Sequence, residues 1–238
     1  MAKSKNVSVC IIAKNCADII STTLRWATDN FEEVNVVVDP NNYDSTLRVV
    51  TLWGENLNIL VREFDDFSTQ KNKAFAMATR PWVLSVDSDE IYEDIPWDKL
   101  VEGMDRAKAD IGAFKIYNLQ KDSDHFLLPL SYKPRLMRKE FASMDGKPVD
   151  ESIDFSRGKI AYFPYAHIHF GHIRHTDALL EKGKDRIKFI DDDPCDGPGM
   201  KKHGTSWFVK RNESWDTRIS ECPKQVKKAV KKYYDGEG

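Results

Sequence analysis

Asp87-Ser88-Asp89 sets two carboxylates one residue apart, directly after the apolar run Trp82-Val83-Leu84-Ser85-Val86. A continuous β-rich run of this length reads as a buried strand, so both acids are expected where that strand ends. There they can turn toward one cation. Hard oxygen donors suit Mg²⁺ or Mn²⁺, which complete their shells with water and phosphate oxygens. Such a cation stabilises the charge growing on a departing diphosphate. D-x-D by itself is common in solvated turns; the strand before it singles this copy out. The glycine-rich phosphate cradles G-x-G-x-x-G and G-x-x-x-x-G-K-[ST] are missing, as are G-x-S-x-G and H-E-x-x-H. A second group lies in residues 164–175, which hold four of the six histidines. His167 and His169 would share one strand face, a conceivable imidazole pair for a transition metal, although a histidine is more often a hydrogen-bonded structural residue.

Strand and helix signals alternate through the part of the chain that must position these groups. Residues 7–12 read as a strand, 17–27 as a helix, 34–38 as a second strand ending at the turn Asp39-Pro40-Asn41-Asn42, and 45–53 as a helix. Residues 58–62 form a third strand, Ser68 caps a helix that stops before Pro81, and 82–86 form the fourth strand. This order predicts a doubly wound, mostly parallel sheet, with ligands beyond the carboxyl ends of its strands. Asp39 and Asp87 both fall at such ends. After about residue 110 the pattern becomes short strands at 111–117, 132–137, 147–153 and 160–163. A helix at 176–190 and a last helix at 223–234 follow. The division is therefore 1–110 and 111–238, two halves of one α/β domain.

Composition limits the rest. The 238 residues are 41% hydrophobic and 31% charged, with 36 basic residues against 38 acidic ones and a net charge of -2. That balance excludes a polycation and an acidic disordered tail. No apolar run approaches the roughly 18 residues of a transmembrane helix, and the apolar stretch near the start is too short for a signal peptide. A cytoplasmic location is the expectation. Cys10, Cys16, Cys195 and Cys222 lack metal or disulfide spacing and receive no chemical role.

Four blocks taken together resemble a known family. Residues 8–15 (SVCIIAKN), Val36-Val37-Val38-Asp39 with Asp44-Ser45-Thr46, Gln70-Lys71-Asn72-Lys73-Ala74, and Asp87-Ser88-Asp89-Glu90 stand in the order found in inverting family-two glycosyltransferases of GT-A fold. The lipopolysaccharide-core glucosyltransferase branch is the most similar in its Q-[RK]-N-x-A and D-x-D-E elements. The resemblance implies a Rossmann-like, mostly parallel sheet flanked by helices, with a smaller mixed region on the acceptor side. It implies a UDP-sugar donor and Mn²⁺ or Mg²⁺. Ala13, Lys14 and Asn15 would lie along the nucleoside and Asp39 at the uracil and ribose. Lys71 and Asn72 would lie near the sugar-phosphate, with Asp87 and Ser88 on the ribose side. Asp89 would ligate the metal directly, Asp87 through water, with His172 or Arg174 adding a late contact. Asp39 beside Pro40 also has a plain reading as a turn residue, and Lys71 as a solvated helix face.

The second half is similar to the same branch at residues 133–138 (KPRLMR) and 146–152 (GKPVDES), with Asp150 where the branch commonly has His. An inverting transfer needs one general base and no covalent intermediate. Glu151 is the expected base and Asp150 the alternative. Lys224, Lys227, Lys228 and Lys231 recur at helical spacing opposite Val226, Val230 and Tyr233, after a stretch holding Trp207 and Trp215. Either this is a surface helix with a solvated lysine face, or Trp207, Lys227, Lys228 and Lys231 face an anionic acceptor, an oligosaccharide or a nucleic acid with a hydroxylated base. Two other functions stay open: a metal-dependent hydrolase built on the histidines, and a non-catalytic binding module of the same fold.

Overall fold

The computed structural model describes residues 2–120, 122–127, 130–147, 152–154, 158–173 and 219–235. Its first half is the expected alternation: β1 (Ser4–Ala13), α1 (Ile20–Asn30), β2 (Phe31–Val38), α2 (Thr46–Leu52), β3 (Asn58–Val61), α3 (Phe67–Met77) and β4 (Trp82–Asp87). β1 pairs in parallel with both β2 and β4, and β2 with β3, giving the order β3-β2-β1-β4. Buried on both faces, β1, β2 and β4 are built from Val, Ile and Leu runs, as helix-covered parallel strands require.

The chain then makes β5 (Glu90–Tyr92), α4 (Trp97–Ala107), β6 (Ile111–Gln120), β7 (His125–Leu127) and β8 (Ser131–Arg138). β9 (Ile160–His172), β10 (Ile219–Glu221) and α5 (Lys224–Tyr233) complete the described elements. β8 lies antiparallel between β4 and β6, so one sheet runs on across residue 110. β9 is parallel to β6 and takes β5 antiparallel on its other side. The core crosses with it. Trp26 of α1 stacks on Tyr92 at 5.3 Å, and Tyr92 meets Trp97 at 5.5 Å and Phe114 at 5.1 Å. Each such ring contributes roughly 2–3 kcal/mol by leaving water.

At the amino ends of the strands, away from Asp39 and Asp87, the buried Glu33 carboxylate ties three elements. It accepts from Ser8 Oγ at 2.8 Å, Asn35 Nδ2 at 3.0 Å and the Thr79 amide at 2.8 Å. Arg80 Nε stands 3.2 Å away.

Several expectations need correction. Asp66, not Ser68, caps α3 by accepting from the Thr69 amide; Ser68 lies inside the helix and donates to the Lys147 carbonyl at 2.6 Å. The strand expected at 160–163 continues to His172. The strand expected at 147–153 leaves, among described residues, only a bridge between Met144 and Ile153. The expected helix at 176–190 lies outside the described residues. Cys10, Cys16 and Cys222 are buried and form no disulfide among the described residues, and Cys195 is not described. Among the described residues no helix is long and apolar enough to cross a membrane.

Candidate functional site

Parallel pairing brings the carboxyl ends of β1, β2 and β4 side by side: Ala13 is level with Val38, and Ile12 with Asp87. Residues after these strands therefore share one edge. Asp39, only 2% exposed, donates its amide to the Ala13 carbonyl and accepts from the Asn41 amide at 2.8 Å. Its Oδ2 is 3.2 Å from Lys14 Nζ, which also stands 4.8 Å over the Phe64 ring. Asn15 takes a left-handed φ of 49°, where asparagine is favoured among residues with a side chain. Its Oδ1 accepts from the Tyr43 amide, and its own amide donates to Asn42 Oδ1, so the loops after β1 and β2 are laced together.

Lys71 lies on the buried face of α3 with its Nζ 2.7 Å from Asp87 Oδ1. The other oxygen of Asp87 is 2.9 Å from Arg135 Nη2. Arg135 arrives from β8 through an irregularity in pairing: Gly112 faces Leu136 while Ala113 faces Pro134, which leaves Arg135 as the extra residue. Such a bulge re-aims a side chain. Arg135 Nη2 also binds Glu90 Oε1 at 2.6 Å, and Glu90 Oε2 is 3.0 Å from His167 Nε2 and accepts the Asp87 amide. Lys71, Asp87, Arg135 and Glu90 thus form a chain of alternating charge that ends on His167 in the core. Burial opposes ionisation of Glu90, but the Arg135 guanidinium above all holds its carboxyl down at about 2. Burial likewise opposes the Arg135 charge, and Asp87 and Glu90 restore it, raising its pKa. His167, fully buried and stacked on Tyr92 at 4.7 Å, is pushed down by desolvation, so it stays neutral. Lys133, two residues before Arg135, is lowered by that guanidinium and by burial.

Asp89 is 1% exposed and faces a different histidine. His169 Nε2 stands 3.6 Å from Asp89 Oδ1, and the Asp89 carbonyl accepts from the Phe170 amide. The expected imidazole pair is therefore divided, His167 going to Glu90 and His169 to Asp89. Ser88 turns its carbonyl to Thr23 Oγ1 at 2.9 Å. Asn72 uses its side-chain oxygen to hold the Met144 amide at 2.9 Å, anchoring the segment that leads toward residue 150.

The remaining expected positions contribute less. Lys227 pairs with Glu221 and Asp124, and Lys228 with Asp94 at 2.8 Å, so acids of this chain already meet part of the lysine stripe. Lys231 shares that helix, whose Val226, Ala229, Val230 and Tyr233 are buried. Asp150, Glu151, Arg174, Trp207 and Trp215 lie outside the described residues, as does the side chain of His172. Arg135 and Glu90 stand in the KPRLMR and D-x-D-E motifs, where the sequence points to no role for them. An arginine beside the buried Leu136 and Met137, and a glutamate before the buried Ile91 and Tyr92, were the available signal.

Donor chemistry at Asp89 suits a hard or borderline cation. A carboxylate and an imidazole nitrogen face each other, and a Cβ on Gly171 would overlap His169 Nε2 and Cε1 and stand 3.4 Å from Asp89 Oδ2. Glycine alone puts no side-chain atom there. Among the described residues no three His, Cys, Asp or Glu side chains converge as a ready-made cage. Mg²⁺-type sites often use one or two protein ligands and fill the shell with water and phosphate.

Comparison with known proteins agrees with this layout. Residues 8–166 match the model of glycosyl transferase family 2, and the chain belongs to that family. It is 30% identical over 155 residues to a TPR repeat-containing protein of Synechococcus elongatus, covering 65% of this chain and 37% of that one. It is 26% identical over 170 residues to an uncharacterized glycosyltransferase of Rickettsia prowazekii, covering 66% and 57%. The chain thus spans about two fifths to three fifths of the length of these relatives. Among solved structures, S. aureus TarS 1-349 superposes with a TM-score of 0.50 at 15% identity, covering 89% of this chain and 72% of that one. The fold is GT-A, a mixed sheet with a parallel amino-terminal half.

Proposed function

We propose that this family 2 member is an inverting glycosyltransferase that moves a sugar from a UDP-sugar to an acceptor hydroxyl, with Mn²⁺ or Mg²⁺ at Asp89. The observation that carries the reading is convergence. Asp39, Lys71, Asp87 and Asp89 come from three separate sequence blocks and meet along one edge of the sheet. Ligands of open α/β sheets bind at that edge.

In this reading Asp39 and the Lys14–Asn15 loop take the nucleoside. Lys71 and Arg135 bring two cations to the diphosphate side. Asp89 would hold the metal with His169 or His172 and, through water, Asp87. A bound Mn²⁺ or Mg²⁺ would supply Lewis-acid stabilisation of the leaving diphosphate. Glu151, or Asp150, takes the proton from the acceptor hydroxyl. The acceptor oxygen bonds to the anomeric carbon as the bond to the diphosphate oxygen breaks, and its electron pair leaves on UDP. A saccharide hydroxyl is the acceptor we favour, since Asp94, Asp124 and Glu221 offset part of the charge a polyanion would need.

Thermal denaturation with nucleotides, with and without Mn²⁺, tests this. UDP with Mn²⁺ should stabilise the protein, by about 2.7 kcal/mol at a hundred times its Kd. Asp89→Ala should abolish the Mn²⁺-dependent part while the protein stays folded. No stabilisation by UDP with any divalent cation would refute the reading, and zinc binding without UDP would favour a hydrolase.

A further inference from the structure

The inference concerns how His169 is aimed, and it rests on the metal-dependent reading above. β6 and β9 are parallel, with Asn118 level with His169. Asn118 Oδ1 lies 2.8 Å from His169 Nδ1. An amide oxygen only accepts, so Nδ1 carries the hydrogen and Nε2 of the neutral ring keeps its lone pair. That lone pair faces Asp89 Oδ1 across 3.6 Å, wider than a normal N–H···O bond. Two bonds of about 2.1 Å to one cation span about 3.0 Å at a right angle and about 4.2 Å in a line, which brackets this gap.

The pairing of β6 with β9 shifts immediately afterwards. Asn118 is level with His169 but Gln120 with His172, so β9 carries one residue more. The extra length brings Gly171 against the pair, where any Cβ would overlap the His169 ring. One neighbour fixes the ring from behind, and the other places no Cβ before it.

We propose that Asn118 is a positioning residue of the metal centre. It holds His169 in the Nδ1–H tautomer, with Nε2 presented toward Asp89, and Gly171 puts no Cβ against that nitrogen. Asn118 touches neither metal nor donor and acts through His169. A nitrogen donor beside a carboxylate suits Mn²⁺ better than Mg²⁺, so the arrangement also bears on metal choice.

Long-range ¹H–¹⁵N correlation of histidine-labelled protein reads the tautomer, His169→Gln assigning the signal. Wild type should be Nδ1–H, Asn118→Leu should shift toward Nε2–H, and Asn118→Asp should restore Nδ1–H. With saturating UDP, Mn²⁺ affinity measured by EPR should fall about 10–100-fold in Asn118→Leu and recover in Asn118→Asp, as loss and replacement of an outer-shell partner predict. Gly171→Ala should weaken Mn²⁺ without removing any donor atom. Pulsed EPR should show a ¹⁴N coupling in wild type that His169→Gln lacks. If Asn118→Leu does not fold, Asn118→Ala gives the same comparison. An Nε2–H tautomer in wild type overturns the proposal, as does unchanged Mn²⁺ affinity once the tautomer has shifted. Mn²⁺ binding without ¹⁴N coupling overturns this inference and leaves the metal-dependent reading standing. Absence of Mn²⁺ binding with UDP overturns both.

Discussion

Arg135 shows how much one side chain can carry when a buried carboxylate, Glu90, and a half-buried one, Asp87, flank it. Its guanidinium meets Asp87 at 2.9 Å and Glu90 at 2.6 Å through one nitrogen. Removing it leaves two acids facing each other with Lys71 and a neutral His167 as their nearest help. Loss of one partner from a buried ionic group costs about 3–5 kcal/mol. Arg135→Met should therefore lower stability by that order in urea denaturation. Arg135→Lys, which keeps the charge but not the fork, should lose less. Equal losses in the two variants would mean that packing, not charge, fixes this position. Glu151 is a different case, because its assignment rests on family resemblance and chemistry alone. Glu151→Gln keeps size and hydrogen bonding but cannot accept a proton, so UDP should still bind while transfer falls about 10²–10⁴-fold. If turnover survives there and collapses in Asp150→Asn, the base is Asp150.

At the scale of elements, Glu33 does structural work that no motif advertises. It joins β1 through Ser8, its own strand through Asn35, and the α3–β4 connection through Thr79. Glu33→Ala would orphan these buried donors and should cost about 2–3 kcal/mol, read from the urea midpoint. Glu33→Gln, which keeps an accepting oxygen, should cost less. The parallel half was legible because unbroken runs such as residues 34–38 and 82–86 have few other readings. Four elements were not. β5, β7 and β10 are three residues each, too short for a two-residue period to register. α4 does bury Trp97, Leu100, Val101 and Met104 at helical spacing, but Asp98, Lys99, Glu102, Asp105 and Arg106 surround them and thin the signal. The same limit applies to the site. Asp39 and Asp87 were readable from strand ends, whereas Arg135 depends on a bulge and His169 on the pairing of β9 with β6, both of which are tertiary facts.

For the whole molecule, the buried charge chain sets how stability responds to acid. His167 is pushed below its ordinary 6.5 by desolvation, and Glu90 is held at about 2 against an ordinary 4.5. Both folded values lie below those of the unfolded chain. Under acid the unfolded chain then binds protons that the native state refuses, so stability falls as pH falls. The His167 contribution is complete above 6.5 and declines below it; that of Glu90 is complete above 4.5 and declines toward 2. Each group adds a slope of at most about 1.4 kcal/mol per pH unit. The melting temperature should hold between pH 8 and 7, decline gently below 6.5, and drop more steeply below 4.5. His167→Gln should remove the first decline and keep the second, because glutamine can still donate to Glu90 without titrating. A wild-type melting temperature that stays flat from pH 8 to 5 would refute the burial of a neutral His167. An unchanged decline in His167→Gln would assign that acid response to other groups.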